Sequence, residues 1–201
     1  MIHPSTQLRY IDGQFDYGLF AVEFIPRGTV VWAQDHFDQA FASSQVDSLA
    51  KPHQRILEKY AFASREGSLL LCWDARRFLN HSCAPNILMT RYGFEIAVND
   101  IRPGDQITCD YSALSLKRPF SCHCRKPECR GIVHPEDAML CAAGWAHETA
   151  AALRMVNSVD QPLWHLIDGE GLLLDLAKEP APQLSRSIHL ERNAERALQS
   201  A

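Results

Sequence analysis

The chain has 201 residues, 46% of them hydrophobic, and a formal net charge of −4. That length can bury one sizeable core, so a single domain with an appendage is expected, and the small negative charge disfavours a nucleic-acid surface while suiting a basic, lysine-bearing partner. No apolar run approaches about twenty residues, and Met1-Ile2-His3-Pro4-Ser5-Thr6 contains no basic segment leading into one, which argues against a membrane span and a signal peptide.

In chain order, Leu19 to Ile25 reads as a buried strand that turns at Pro26-Arg27-Gly28, with Thr29-Val30-Val31-Trp32 as its antiparallel partner. Residues 46–62 read as a helix, because Leu49, Ile56, Leu57 and Tyr60 fall near three- and four-residue spacing and Pro52 suits a first turn. Ser68–Trp73 and Phe94–Val98 read as further strands, the second closed by Asn99-Asp100 and a turn at Pro103-Gly104-Asp105. Many short strands with few helices predict an α+β, mainly β fold. Past Gly131, Pro135-Glu136-Asp137 followed by Met139, Ala142, Ala143, Ala146, Ala150 and Leu153 predicts a helix whose acidic first turn favours its dipole. Trp145, Trp164 and Leu172-Leu173-Leu174 are expected to pack this tail onto the body. Pro180-Ala181-Pro182 then breaks the chain, and Ile188-His189-Leu190-Glu191-Arg192 begins a final charged helix.

The most informative pattern is a lone cysteine in Asn80-His81-Ser82-Cys83-Ala84-Pro85-Asn86 and a cluster in Cys122-His123-Cys124-Arg125-Lys126-Pro127-Glu128-Cys129-Arg130-Gly131. Cys122 and Cys124 flank one residue and are poorly placed to bond each other, so the cluster reads as metal-binding. Tetrahedral zinc takes four ligands, and one distant thiolate plus a CxCx4C group makes a closed structural site. His134, five residues after Cys129, is the rival fourth ligand. Cys72, Cys109 and Cys141 read as small apolar side chains. Seven cysteines without an export signal suggest a reducing, intracellular setting, cytoplasmic or nuclear.

Arg77-Phe78-Leu79-Asn80-His81-Ser82-Cys83-Ala84-Pro85-Asn86, then Gly104-Asp105-Gln106-Ile107-Thr108-Cys109-Asp110-Tyr111, then the CxCx4CRG cluster resemble the SET-domain protein lysine methyltransferases with their post-SET zinc loop. Tyr17-Gly18-Leu19-Phe20-Ala21 with Ile25-Pro26-Arg27-Gly28-Thr29 is similar to that domain's opening glycine loop and first hairpin, so the resemblance spans residues 8–131. It implies small curved sheets with a knot-like crossing of the NHSC and DY segments, and three regions. These are a SET domain over 1–115 with a variable insert at 35–70, a post-SET loop over 116–134, and a helical appendage over 135–201 that either packs on the body or covers the substrate.

The implied activity is methyl transfer from S-adenosylmethionine to a lysine side chain of a protein or peptide, with one structural zinc ion, no membrane and no direct nucleic-acid partner. Such a displacement needs an aligned, neutral amine, although free lysine titrates near about 10.4. By the same resemblance Tyr111 is the catalytic tyrosine. Gly18 and Leu19 offer backbone groups to the methyl donor, Asn80 contacts its amino-acid part, His81 its adenine through the backbone, and Phe120 packs against the adenine; Cys83, Cys122, Cys124 and Cys129 hold the metal. Two departures stand out. Asp16 occupies a place usually held by glycine, and Cys109 one usually held by phenylalanine or tyrosine, which leaves room for di- or trimethylation. The alternatives are an inactive SET-like peptide-binding module and a zinc-stapled interaction domain.

Overall fold

The structure, a computed structural model, describes residues 1–64, 67–114, 116–167, 169 and 171–173. Leu174, the 180–182 break and the helix expected at 188–192 lie outside the described residues. The strands are β1 (Thr6–Tyr10), β2 (Tyr17–Ala21), β3 (Val30–Ala33), β4 (Gln39–Phe41), β5 (Phe62–Ala63), β6 (Leu69–Leu71), β7 (Asn80–His81), β8 (Ile87–Met89), β9 (Phe94–Ala97), β10 (Gln106–Cys109), β11 (Phe120–Ser121) and β12 (Ile132–Val133). Helices α1 (Ser43–Ser48), α2 (Lys51–Tyr60) and α3 (Asp137–Leu153) complete the regular structure with a few 3₁₀ turns. The strands form small sheets in the orders β1-β2-β10-β7, β3-β9-β8, β4-β6-β5 and β11-β12. This is the mainly β, α+β class expected.

The expected hairpin between Leu19–Ile25 and Thr29–Trp32 does not form. β2 pairs instead with β1 and β10, and β3 pairs with β9. The physical reason lies in the turn between them. Gly28 takes φ 93°, and a β-carbon there would stand 2.6 Å from the β-carbon of Met155, so only glycine lets the chain turn under the tail into a second sheet. β1 escaped the sequence reading because four of its five residues are exposed, which leaves an edge strand with little apolar signal. The expected helix at 46–62 is two helices: Pro52 sits in the first turn of α2, and Ala50 is its cap.

β3 explains why a strand can be apolar at every position. Val30 and Ala33 enter a core shared with the tail, Val31 one beneath the four-stranded sheet, and Trp32 a third. On β9, Phe94 and Ile96 share the first of these cores, so Glu95, with its side chain alternating to the opposite face, is 1% exposed. Its partner is the equally buried Arg76, whose Nη2 and Nε donate to the two carboxylate oxygens at 2.7 and 3.2 Å. The guanidinium lies 3.8 Å from the Phe62 ring centroid and 5.1 Å from that of Trp32.

The tail docks through the C-terminal half of α3. Ala152, Leu153, Val156, Leu163 and Leu172 join Val30, Phe94 and Ile96 in one core, with Trp145, Trp164 and Leu173 packed against it. Each fully buried leucine there contributes about 1.5–3 kcal/mol. Gln161 accepts from Val30 N at 2.9 Å and donates to Gly28 O at 2.7 Å, completing bonds at the edge of the turn. The early α3 residues correct the expected apolar face: Met139 is 83% exposed, while Asp137 is buried.

Breaking the Arg76–Glu95 pair from one side should leave a buried charge uncompensated, so Glu95→Gln and Arg76→Met should each destabilise the fold by about 3–5 kcal/mol in urea unfolding, with the double variant costing less than the sum.

Candidate active site and thiol cluster

Two remote segments are joined side by side. β7 runs parallel to β10, with Asn80 opposite Thr108 and His81 opposite Cys109. Ser82 N donates to Cys109 O at 2.9 Å. Asn86 extends the pairing with its side chain, accepting from Thr108 N at 2.8 Å and donating to Gln106 O at 2.9 Å. The polar residues of the NHSC stretch thus act as strand partners, and the junction carries Asn80, His81 and Cys83 to the side of Cys109, Asp110 and Tyr111.

Beside the junction lies a cavity of about 710 Å³. Its walls include Ile11, Asp12 and Phe15 before β2, then Asn80, His81 and Gln106, and then residues 123–128. Gly18 stands immediately behind this wall. A β-carbon on it would lie 2.5 Å from Gln106 Nε2 and 2.9 Å from Asn80 Nδ2, so a side chain there would displace residues that line the cavity. Asn80 Nδ2 donates to Tyr17 O at 2.9 Å and fixes the loop. Gln106 Nε2 is buried without a hydrogen-bond partner, a polar atom that an interior normally satisfies. Leu19 is fully buried in the core, paired on both sides to Leu8 and Ile107, and does not line the cavity. The Asp16 position has the backbone that glycine would give, with φ 56°.

Tyr111 opens the 3₁₀ turn Tyr111–Leu114. Its hydroxyl donates to Leu79 O at 2.6 Å, one residue from Asn80. Burial pushes the phenol pKa up, Cys109 adds to this and Arg76 opposes it, so the group stays protonated at neutral pH. Tyr111, His81 and Phe120 form an aromatic trio, with ring centroids 5.5 Å apart for His81–Tyr111, 5.2 Å for His81–Phe120 and 5.8 Å for Tyr111–Phe120. His81 Nδ1 accepts from Tyr111 N at 3.1 Å, and Nε2 faces Cys83 Sγ at 3.3 Å. Burial lowers the imidazole pKa to about 4 against the pull of Asp110, so the ring is neutral, with its proton on Nε2.

The ligand atoms of Cys83, Cys122, Cys124 and Cys129 all lie within 4.8 Å of one another, and all four thiols are free. Cys83 Sγ and Cys122 Sγ are 3.6 Å apart, too far for a disulfide and close to the edge of about 3.8 Å that zinc–sulfur bonds of about 2.3 Å impose on a tetrahedron. Burial pushes the Cys122 and Cys83 thiols up. For Cys124 burial acts the same way but is outweighed by hydrogen bonds from the Cys83 and Lys126 backbone and from the thiols of Cys122 and Cys129, which bring it down to about 7. Further thiolates beside it would repel one another, and a divalent cation at their centre removes that repulsion. The donor set therefore fits a metal ion. His134 stands outside the group; its backbone N donates to Asp137 Oδ2 at 3.1 Å. Cys72 and Cys109 are buried and Cys141 is half-buried, all three outside the cluster.

Arg130 and Asp110 were not singled out by the sequence reading. Arg130 Nη2 donates to Asp110 Oδ2 at 2.6 Å and its Nη1 to Asp137 Oδ2 at 3.0 Å. Both residues sit inside recognised motifs, but spacing carries no information about such a pairing.

Fold and site together define a small mainly β domain with a ligand cavity walled in part by a thiol-rich loop. Residues 16–112, just under half of the chain, match the family model described as SET domain, so this stretch is similar to the SET-domain proteins. It is 32% identical over 88 residues to the histone-lysine N-methyltransferase TRX1 of Oryza sativa subsp. japonica, covering 40% of this chain and 8% of that protein. It is 29% identical over 132 residues to the histone-lysine N-methyltransferase SETMAR of Mus musculus, covering 56% and 42%. The chain thus spans less than half the length of either relative. Among solved structures, KRYPTONITE in complex with mCHG DNA and SAH aligns over 63% of this chain and 28% of its own, with 19% identity and a TM-score of 0.46, an overlay too loose for transfer between residues. No helix among the described residues is long and apolar enough to cross a membrane.

If the gathered thiols hold a metal, Cys83→Ser should lower its affinity by at least about a hundredfold, beyond what loss of an outer-shell partner costs, whereas His134→Ala should leave metal content at the wild-type level in elemental analysis.

Proposed function

We propose that this chain is an S-adenosylmethionine-dependent protein-lysine N-methyltransferase in which Tyr111 is the catalytic residue and the four-thiol cluster binds one structural zinc ion. The observation that carries the reading is the placement of the Tyr111 hydroxyl on Leu79 O, where the chain enters Asn80 and His81 at the cavity wall. The relatives are histone-lysine methyltransferases by name, which supports a protein lysine as acceptor.

The methyl donor would supply an electrophilic carbon on a sulfonium. Asn80 and His81 border the space available to it, with Gly18 packed directly behind Asn80 and Phe120 behind His81. Loop residues 123–128 form one wall of the same cavity, so zinc on the thiols would hold that wall in place without entering the chemistry. Because Tyr111 donates its proton to Leu79 O, its oxygen lone pairs stay free to accept from a lysine N–H and orient the nitrogen lone pair. The surrounding aromatic side chains exclude water, which disfavours the ammonium form and releases the amine that the displacement needs. The hydroxyl stays a neutral donor and acceptor, with no role as a base.

Cys109 is 4% exposed and takes the position two residues before Tyr111. Its thiol is a weak hydrogen-bond donor and lacks the bulk of a ring. It therefore places no strong bond on the amine that would restrain the rotations needed for repeated transfer.

Assayed on a lysine-peptide array with mass-spectrometric site mapping, the protein should transfer methyl groups to lysine. Tyr111→Phe should lower kcat by about 100-fold or more with unchanged binding of S-adenosylmethionine. Full activity in that variant would remove Tyr111 from the mechanism, while donor binding without transfer in the wild type would point to a peptide-binding module. At exhaustive conversion, intact-mass analysis should show di- or trimethylated lysine, and a product that stops at one methyl would refute the role given to Cys109.

A further inference from the structure

Cys83 receives more hydrogen bonds than a structural thiol needs. Its sulfur faces Arg130 N at 3.4 Å, Arg130 Nε at 3.3 Å and His81 Nε2 at 3.3 Å. Three donors on one sulfur are a setting for a thiolate. The same guanidinium then leaves the cluster. Its Nη2 reaches Asp110 Oδ2 at 2.6 Å, while Nη1 reaches Asp137 Oδ2 at 3.0 Å and Ser112 Oγ at 3.5 Å.

Asp110 is 1% exposed at its side chain, and its second oxygen accepts from Ser112 N at 3.0 Å and Ser112 Oγ at 2.8 Å. These bonds hold the first residues of the 3₁₀ turn that starts at Tyr111. A second route runs from Cys83 through His81, whose Nδ1 receives the Tyr111 N–H. The cluster and the catalytic tyrosine are thus connected by charge-assisted bonds on one side and by an imidazole on the other.

We propose that Arg130 is a positioning residue that couples metal occupancy of the thiol cluster to the placement of Tyr111, acting through Asp110. The proposal rests on the methyltransferase reading for its catalytic half only; the coupling between Cys83 and Asp110 stands on geometry alone. A metal on the cluster would fix the Cys83 sulfur, which accepts from Nε and the backbone N–H of Arg130; this orients Nη2 toward Asp110 and closes the turn under Tyr111. With the metal removed, the Cys83 sulfur is no longer fixed in the cluster, and the guanidinium that it orients is free to shift. The rigid fork matters, since lysine can hold one of these partners but cannot span both.

The experiment uses the full chain with zinc and measures zinc affinity by chelator competition for wild type, Arg130→Met, Arg130→Lys, Asp110→Asn and the Arg130→Met/Asp110→Asn double variant. Arg130→Met should weaken zinc binding by about 10- to 100-fold. Asp110 hydrogen-bonds Ser112 and Arg130 and none of the four cluster cysteines, yet Asp110→Asn should weaken zinc binding by at least about fivefold, and the double variant should lose less than the product of the single effects. At saturating zinc, Arg130→Met should lower kcat by about tenfold or more with the KM for S-adenosylmethionine changed less than about threefold, and Arg130→Lys should recover part of kcat. Zinc affinity within about threefold of wild type for Asp110→Asn, or multiplicative effects in the double variant, would overturn the coupling. Should Arg130→Met fail to fold, Arg130→Lys replaces it in the cycle with the same criteria. A wild type that transfers no methyl group sinks the methyltransferase reading, and the zinc cycle still decides the coupling.

Discussion

The pairing of β7 with β10 is the constraint on which the rest depends. Two short segments, some thirty residues apart, supply few apolar side chains of their own, and their register is held by backbone bonds and by the Asn86 side chain at both of its polar ends. Because successive strand residues point to opposite faces, a slip of one residue would part Cys109 from His81 and Thr108 from Asn80 and carry Tyr111 with them. An asparagine that reads strand β10 with its amide is a register device whose effect reaches the Tyr111 hydroxyl and the cavity wall.

Beneath that junction the protein keeps a buried ion pair where an apolar core would be the simpler solution. Arg76 lies in the 3₁₀ turn that leads to Leu79, and its backbone carbonyl accepts from Leu79 N at 3.0 Å; the next carbonyl along the path, Leu79 O, receives the Tyr111 hydroxyl. Glu95 and the rings of Trp32 and Phe62 fix the Arg76 side chain. Buried ion pairs gain little stability over apolar groups of the same size, but they penalise every arrangement that parts them. Here that penalty falls on the segment that presents the Leu79 carbonyl.

Much of this was legible in the sequence, though unevenly. Strands β6 and β9, the turn after β9 and helix α3 follow from hydrophobic runs, turn residues and a capping charge pattern. The gathering of Cys83 with Cys122, Cys124 and Cys129 follows from ligand chemistry and from a resemblance. The wrong hairpin came from treating adjacent apolar runs as partners, when the turn at Gly28 instead passes the chain to another sheet under Met155. Burial of Asp137 and exposure of Met139 were illegible for a related reason: a helix pattern shows which side chains are apolar, whereas the partner that settled this turn of α3 is a cation, Arg130.

The departure from the expected motif at Asp16 is instructive in the same way. Asp16 and Arg125 both take a left-handed backbone, at φ 56° and 55°, on the two loops that face each other across the cavity. A side chain in that region costs on the order of 1–2 kcal/mol relative to glycine, less for aspartate than for a long side chain. Around Asp16 the loop is over-determined: Asp16 N donates to Asp12 O, Ile11 N donates to Asp16 O, Asp12 Oδ1 accepts from Gln14 and Phe15, and the Asp16 carboxylate meets Lys59 at 3.2 Å. Arg125 lies directly after Cys124, in the stretch between the gathered thiols of Cys124 and Cys129. At Asp16, therefore, the loop's own bonds hold a left-handed backbone without a glycine. Backbone held this way by its surroundings is the usual condition for a left-handed residue other than glycine to persist in a loop beside a cavity.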